Sequence, residues 1–446
     1  MAFLIKNAQI VNEGRVFEGD ILIKNDRIER IDSSISVDFK VTEIDAKGQL
    51  CMPGVIDDQV HFREPGLTHK AEIYTEARAA VVGGTTSFME MPNTVPQATT
   101  RELLEKKYAI GANRSLANYS FFFGATNDNT EEVLRVDKEN VCGVKIFMGS
   151  STGNMLVDDE QTLKKIFCNC DHLIATHCEK EEIVRANTAL FVERYGHDIP
   201  FTAHPEIRSV EACYASSSQA IELAKACGSR LHILHLTTAK ELDLFTNEIP
   251  LEKKRITAEV CVHHLWFSDV DYLEKGALIK CNPAVKSKSD RAALWAALKD
   301  NRLDIIATDH APHTWDEKQG KYMSAPSGLP LVQHSLQAML SKVNDGEMSL
   351  EIMVEKMCHA PAKCFNLHER GYLREGYKAD IVLVDTNKPY TVSKANILHK
   401  CGWSPFEGHT FNSTITHTWV SGHLAWQNGM LNDNKTGERL KFNQRS

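Results

Sequence analysis

The sequence predicts an α/β protein, a (β/α)8 TIM-like barrel joined to a small β-sandwich domain built from both termini. Short β-branched or apolar runs alternate with amphipathic stretches from about residue 51 to about residue 367, and eight such runs can be counted. Strands that alternate with helices form a parallel sheet, and eight units close into a barrel. Its chemistry is then expected at the carboxyl ends of the strands.

Each predicted strand is followed by a helical stretch. The first strand ends at Val60, and helical periodicity is clearest over Thr99–Asn113 and Ser209–Ala226. The other seven strands are predicted at Thr85–Met91, Tyr119–Phe123, Val144–Met148, Leu173–His177, Leu231–Leu236, Ile256–Val260 and Ile305–Thr308.

The two ends of the chain have a different pattern. Residues 1–50 hold short alternating segments separated by turn residues, and this style resumes at about Tyr372. We therefore predict a discontinuous β domain from residues 1–50 and 368–446, and a barrel domain from residues 51–367. A chain of 446 residues is long enough for both.

Composition narrows the class of protein. A net charge of -8 argues against nucleic acid as a partner, and no apolar run approaches the roughly 20 residues that span a bilayer. The 12 cysteines are scattered, and the start of the chain lacks the apolar core of a secretory segment. These features predict a cytoplasmic protein that acts on neither nucleic acid nor membranes.

Five residues of metal-binding type fall in or beside predicted strands. Because the carboxyl ends of barrel strands meet at one rim, these side chains are expected to converge. Imidazole and carboxylate ligands suit Zn²⁺, which can lower the pKa of a bound water to near 7. The five residues, on strands 1, 4, 5, 6 and 8, are His61, Lys145, His177, His235 and Asp309.

Lys145 needs a separate explanation. Alternation places it opposite Val144 and Ile146, on the interior face of its strand. A buried lysine without a partner is costly. A neutral lysine that adds CO2 becomes a carbamate, N6-carboxylysine, whose two oxygens can bridge two metal ions, so Lys145 is predicted to be a modified metal ligand.

An ordered series of motifs covers nearly the whole chain and resembles the dihydroorotases of the amidohydrolase superfamily, in the bacterial branch that includes hydantoinases. The motifs are His61-Phe62-Arg63-Glu64-Pro65-Gly66, Met91-Pro92-Asn93-Thr94, His204-Pro205-Glu206-Ile207-Arg208-Ser209, Leu231-His232-Ile233-Leu234-His235, Thr308-Asp309-His310-Ala311-Pro312-His313, Ala325-Pro326-Ser327-Gly328-Leu329-Pro330 and Trp403-Ser404-Pro405-Phe406-Glu407-Gly408.

The resemblance implies reversible hydrolysis of L-dihydroorotate to N-carbamoyl-L-aspartate in de novo pyrimidine (UMP) biosynthesis. A metal-bound hydroxide would attack the ring carbonyl, and Asp309 would shuttle the proton. Arg63, Asn93 and His313 would hold the substrate carboxylate, with Asn282 as a further ring contact; a guanidinium fork suits a carboxylate. The implied cofactors are one or two Zn²⁺ ions and the lysine carbamate. A homodimer is the implied assembly.

The first motif departs from the family at Gln59, where the pattern has the first of two histidines. A glutamine oxygen is a weaker zinc donor than imidazole. Three arrangements stay open. Gln59 binds the metal through its oxygen, a water replaces the missing ligand, or only the site formed by the carbamate, His177 and His235 is filled.

Two other functions compete with this hypothesis. A hydantoinase, dihydropyrimidinase or allantoinase would share the barrel, the carbamate and Asp309, but would not need a carboxylate-binding Arg63. A noncatalytic homologue could serve as a scaffold for aspartate transcarbamoylase, and Gln59 is its only support in the sequence.

Three further features receive an interpretation. His263 and His264 are adjacent and are expected to face opposite sides, in a structural role. Glu179 is interpreted as a helix N-terminal carboxylate. The polar stretch Thr314–Ser324 is long enough for a lid over the site.

Overall fold

A closed barrel of eight parallel strands lies at the centre of the computed structural model, which describes residues 2–149 and 154–443. Neighbouring strands pair in parallel around the barrel. It closes between its first and last strands, where Val60 bridges His310 and the His61 N–H donates to the His310 carbonyl at 2.7 Å. The strands are β1 (Val55–Val60), β2 (Thr85–Glu90), β3 (Asn118–Phe121, continued by Phe123–Gly124), β4 (Val144–Phe147), β5 (Leu173–His177), β6 (Arg230–Ile233), β7 (Ile256–Cys261) and β8 (Ile305–Ala307).

The predicted α/β class and the strand order are confirmed. The β5 bounds match the prediction, whereas β6 ends three residues before the predicted Leu236. The chain turns at His235, whose φ of 39° is incompatible with an extended strand. His235, a predicted metal ligand, therefore lies just beyond the end of β6.

Helices follow the strands around the barrel, except that β6 is followed by two 3₁₀ segments, Lys240–Leu244 and Leu251–Lys253, where a helix was predicted. The predicted helices begin one or two residues later than expected, at Arg101 and Val210, because Thr100 and Ser209 are N-caps that accept from Leu103 N and Ala212 N. Among the described residues, no helix combines the length and apolar character needed to cross a membrane. The α-helices are Ile73–Val82, Arg101–Arg114, Thr130–Val133, Glu160–Asn169, Glu181–Tyr195, His204–Ile207, Val210–Cys227, Val262–Trp266, Tyr272–Lys275, Lys288–Lys299, Trp315–Lys318, Ser335–Asn344, Leu350–Val354 and Ala360–Phe365.

Both ends of the chain contribute to one nine-stranded sheet. The two parts meet where Leu50–Pro53 pairs antiparallel with Ile381–Asp385. The packing of this sheet as a sandwich, and the domain boundaries, stay predictions. The remaining strands are Ala2–Asn12, Arg15–Lys24, Arg27–Asp32, Thr42–Asp45, Thr414–Val420, His423–Gln427 and Met430–Leu431, with a separate pair formed by Tyr390–Thr391 and Thr410–Phe411.

The last described segment of the chain returns to the barrel. The Tyr119 N–H donates to the Glu438 carbonyl at 3.0 Å. Leu440 and Phe442 are buried in a cluster that includes Phe122 of the barrel. The residues predicted to belong to the terminal domain thus include a segment that packs against the barrel.

Two cysteines that are far apart in the sequence form a disulfide. Cys168 and Cys227 lie in the last turns of two neighbouring helices, and their Cα atoms are 4.5 Å apart. The other ten cysteines are buried and free. A separation of 59 residues offers no local spacing signal, so the sequence did not indicate this pair.

A buried ion pair supports the backbone beside the barrel mouth. Glu90, at the end of β2, accepts from the Phe62 N–H at 2.9 Å and lies 3.0 Å from the Lys107 ammonium. Lys107 also donates to the Met91 carbonyl at 2.9 Å. Both charged side chains are almost completely buried. If one of them is removed, bulk water cannot solvate the charge of the other.

We expect Lys107→Ala to destabilise the fold by about 3–5 kcal/mol, because it leaves the Glu90 carboxyl buried and unpaired. Urea denaturation would measure the free energy of unfolding. The neighbouring Lys106 forms an exposed pair with Glu102, and Lys106→Ala should cost no more than about 0.5 kcal/mol. Equal effects of the two substitutions would contradict the prediction.

Candidate active site

All the sequence-predicted site residues line one cavity at the carboxyl ends of the barrel strands. The cavity has a volume of about 550 Å³. Residues predicted as metal ligands and residues predicted to bind substrate therefore share a single site. They are Gln59, His61, Arg63, Asn93, Lys145, His177, His235, Asn282, Asp309 and His313.

Two imidazoles converge in the floor of the cavity. His177 Nδ1 lies 2.9 Å from His235 Nε2, and both rings are buried. Burial lowers the pKa of each imidazole, most strongly for His235, so both rings are neutral and present lone pairs. The opposite nitrogen of His177 lies 2.9 Å from Glu179, which also pairs with Arg208 at 2.5 Å. This contact leaves Nδ1 of His177 to face the cavity.

A second pair of donors lies across the floor. His61 Nε2 is 3.1 Å from an Asp309 oxygen, and His61 Nδ1 is 2.9 Å from the Asn93 side-chain oxygen. Burial acts to raise the pKa of Asp309, but the hydrogen bond with His61 outweighs it and holds that pKa below its ordinary value. Asp309 is therefore an anion that can ligate a cation or accept a proton.

Lys145 points into the barrel, as predicted. Its side chain is 1% exposed, and its ammonium position is 4.5 Å from the centre of the Phe147 ring. Burial lowers the pKa of Lys145 to about 7, so a large fraction of the amine is neutral near neutral pH. A neutral amine is the form that adds CO2.

Three site residues adopt a left-handed backbone. The φ angles are 67° for Arg63, 39° for His235 and 47° for Asp309. Such a conformation costs on the order of 1 kcal/mol or more for a non-glycine residue. It turns the chain at the end of a strand, and the packed barrel maintains it. Each of these turns lies beside the cavity.

A layer of polar contacts beneath the cavity supports Asp309. Asp57 accepts from the Thr308 hydroxyl at 2.6 Å and from the Thr308 N–H at 3.2 Å, which ties the start of the barrel to its last strand. His310 Nε2 lies 3.0 Å from Glu76, and the other ring nitrogen accepts from the Leu331 N–H at 2.9 Å. The backbone on both sides of Asp309 is thereby fixed.

Arg63 is a buried cation at the cavity wall. It is 8% exposed, its Nε donates to the Pro312 carbonyl at 3.1 Å, and Nη2 lies 3.2 Å from His313. Burial lowers the pKa of Arg63 to about 10, which leaves it charged near pH 7. Among the described residues it makes no ion pair within 4 Å, whereas the adjacent Lys70 pairs with Glu317 at 2.9 Å.

Sequence reasoning missed or misplaced several supporting residues. Glu179 is a contact of the His177 ring, and only its position two residues after that histidine could have indicated this. Lys70, 3.0 Å from His313 Nδ1, carried no motif signal. The expectation that His263 and His264 face opposite sides is wrong, because they lie on a helical turn with ring centres 3.9 Å apart.

The candidate lid, Thr314–Ser324, packs beside the cavity. It contains the short helix Trp315–Lys318, whose N-cap is the Thr314 side chain. The Tyr322 hydroxyl lies 2.8 Å from His204, and Lys280 donates to the Tyr322 carbonyl at 2.6 Å. Motion of this segment stays a prediction.

The donor set fits a zinc-class cation. Neutral imidazoles of His61, His177 and His235 and the Asp309 carboxylate are nitrogen and oxygen donors of the kind that zinc binds. Neutral, buried imidazole nitrogens that meet at 2.9 Å are consistent with shared coordination. Gln59 is buried next to this set and offers only a weaker oxygen.

Metal-binding donors at the carboxyl ends of several strands of a parallel barrel are typical of a metal-dependent barrel enzyme. Comparison with known proteins gives the assignment. The chain belongs to the amidohydrolase family, whose model matches residues 50–425.

Relatives with known names match almost the full chain. A dihydroorotase of Methanosarcina acetivorans is 32% identical over 96% of this chain and 92% of its own length. An allantoinase of Bacillus velezensis is 30% identical over 96% and 94%. Among solved structures, an L-hydantoinase (dihydropyrimidinase) from Arthrobacter aurescens superposes with a TM-score of 0.91, at 27% identity over 96% and 97% of the two chains.

Proposed function

We propose that this protein is a zinc-dependent dihydroorotase that interconverts L-dihydroorotate and N-carbamoyl-L-aspartate. The observation that carries the proposal is Arg63, a buried guanidinium in the cavity wall that has no ion pair among the described residues. A buried cation needs an anionic partner. The exocyclic carboxylate of dihydroorotate meets that need, and several full-length relatives are named dihydroorotase.

The proposed cofactors are one or two zinc ions and a carbamate on Lys145. His61, His177, His235, Asp309 and the carbamate are the residues that would hold the zinc. A bound zinc ion supplies Lewis acidity and lowers the pKa of a coordinated water.

The chain's own residues account for binding and proton transfer. Arg63, Asn93 and His313 hold the substrate carboxylate, and Asn282 contacts the ring; all four residues line the cavity. In hydrolysis, a water oxygen bonds to the ring carbonyl carbon while the ring C–N bond breaks. Asp309 accepts the water proton and returns it to the leaving nitrogen. The reverse sequence closes the ring.

Arg63→Met tests the substrate assignment. Loss of the charged hydrogen bonds should remove about 2–3 kcal/mol of transition-state binding, which is about 30- to 150-fold in kcat/KM for dihydroorotate. Steady-state kinetics with dihydroorotate and with hydantoin, a ring without a carboxylate, would separate the two classes of amidase.

Arg101→Met, at an exposed ion pair, is the control and should leave both rates unchanged. If the wild-type enzyme turns over hydantoin well and Arg63→Met lowers neither rate, the protein is a neutral-ring amidase. The allantoinase and hydantoinase relatives make that the second candidate function.

Further features belong to the same proposal. A homodimer, association with aspartate transcarbamoylase, a cytoplasmic location and a place in pyrimidine biosynthesis are compatible with a dihydroorotase. A noncatalytic scaffold is disfavoured, because Lys145, His177, His235 and Asp309 all line the cavity and a scaffold would not need them.

A further inference from the structure

A cluster of three soft or borderline metal donors lies at the end of β7, outside the ligand set described above. Cys261, His263 and His264 each offer a ligand atom, and these atoms all lie within 4.8 Å of one another. All three side chains are at most 2% exposed. Thiolate and imidazole are the donors found in structural zinc sites.

The histidines of this cluster have unsatisfied polar atoms. Among the described residues, neither ring nitrogen of His263 makes a hydrogen bond of ordinary geometry, although the Thr308 backbone is close by, and Nδ1 of His264 also has no partner. A buried polar atom without a partner destabilises the folded protein. Such atoms in a native protein are normally satisfied, and a bound ion is one way to do so.

The surroundings of His264 determine which of its two ring nitrogens can bind a metal ion. Nε2 lies 3.1 Å from the Pro283 carbonyl, which can only accept, so Nε2 carries the proton and Nδ1 carries the lone pair. A histidine that donates one ring N–H to a backbone carbonyl and presents the other nitrogen is the usual arrangement of a metal ligand.

The cluster adjoins the position where the first metal motif departs from the family pattern. The Cys261 Sγ atom lies 3.8 Å from Gln59 Oε1 and 3.9 Å from a Glu259 oxygen. Gln59 therefore faces a thiol across the barrel mouth. A glutamine oxygen is a poor zinc donor alone, but it can complete a four-coordinate site whose other ligands are stronger.

We infer that Cys261, His263 and His264, with Gln59 Oε1 as fourth donor, form a closed site for a zinc-class cation that joins the ends of β1 and β7. Binding releases the Cys261 thiol proton to solvent, and the thiolate then bonds to the cation. With four protein ligands, the site is structural. The inference involves no substrate and goes beyond the proposed function.

Cobalt substitution tests the site. Purified full-length protein is stripped of metal, reloaded with Co²⁺ and examined by near-ultraviolet absorption, where thiolate-to-cobalt charge transfer gives an intense band. X-ray absorption of the zinc form would show a sulfur neighbour at about 2.3 Å. Ligands from the dihydroorotase-type centre are nitrogen and oxygen only, so cobalt bound there gives no such band.

Cys261→Ser should abolish the charge-transfer band and remove about one metal ion per chain. Cys213→Ser is the matched control, a buried thiol whose contact is Thr237, and it should retain the band. A zinc-loaded wild type with no sulfur neighbour overturns the inference while leaving the proposed function untouched. A band that survives in Cys261→Ser also overturns it.

If Cys261→Ser does not fold, Cys281→Ser decides between the two thiols beside the histidine pair. Cys281 Sγ lies 3.7 Å from Nε2 of His264, so it is the alternative sulfur ligand. A sulfur neighbour that persists in Cys281→Ser supports Cys261 as the ligand. Its disappearance assigns the sulfur to Cys281 and overturns the inference.

Discussion

Asp309→Asn is expected to lower kcat for dihydroorotate hydrolysis by about 10³- to 10⁴-fold, in the upper part of the range for loss of a general acid and base. The amide cannot accept the water proton or return it to the leaving nitrogen. It also presents a neutral oxygen beside His61, where the carboxylate lies 3.1 Å away. Steady-state kinetics of ring opening and of ring closure should show the same loss, because the Asp309 carboxylate transfers the proton in both directions.

The control for Asp309→Asn is Asp316→Asn on the exposed part of the helix Trp315–Lys318. This change should leave kcat within about two-fold, as surface substitutions have small effects. Circular dichroism would establish that both variants are folded. An Asp309→Asn enzyme that keeps more than a tenth of the wild-type kcat would exclude Asp309 as the proton shuttle.

Lys145→Ala is expected to weaken metal affinity by more than about 100-fold, beyond the range for loss of a residue that only positions a ligand. It should also lower kcat by about 10³-fold, because a catalytic metal provides several kcal/mol of transition-state stabilisation. The reason is that Lys145 is buried at the cavity floor and its carbamate would supply two oxygens to the ions. Metal analysis and kinetics measure the two effects.

Lys145→Arg sharpens the test, since arginine stays protonated and cannot form a carbamate. Lys145→Arg should lose metal affinity and kcat as Lys145→Ala does. Lys165→Ala, at an exposed ion pair, should keep both at the wild-type level. Native mass spectrometry should detect the added CO2 in the wild type and in Lys165→Ala, and in neither of the two Lys145 variants. Full metal content in Lys145→Arg would show that the carbamate is not a ligand.

Much of the fold could be predicted from local patterns. A buried parallel strand is a short apolar run, and its bounds follow from where that run ends, as for Leu173–His177. The same alternation placed Lys145 inside the barrel, where it is 1% exposed. These features depend on residues close together in the chain, so the sequence contains the signal.

The candidate site could be predicted only in part. Motifs at separate strand ends identified residues such as His61, His177 and Asp309, since barrel closure brings strand ends to one rim. Their convergence is observed, and their catalytic roles stay predictions. The carboxylate contact of Glu179 and the ion pair of Lys70 with Glu317 were not predicted, because each depends on the rotation of side chains around the site.

From the sequence alone came the class of fold, the order of the strands and the residue types available for chemistry, because periodicity and motif spacing are local properties of the chain. The pairing of Gln59 with Cys261, the side-by-side rings of His263 and His264, and the Cys168–Cys227 disulfide required the tertiary structure. The disulfide joins residues that are 59 positions apart in the sequence, and the Gln59–Cys261 contact joins residues that are 202 positions apart. Helix packing sets the first distance and barrel closure sets the second. In all three cases packing, rather than sequence periodicity, decides which side chains meet.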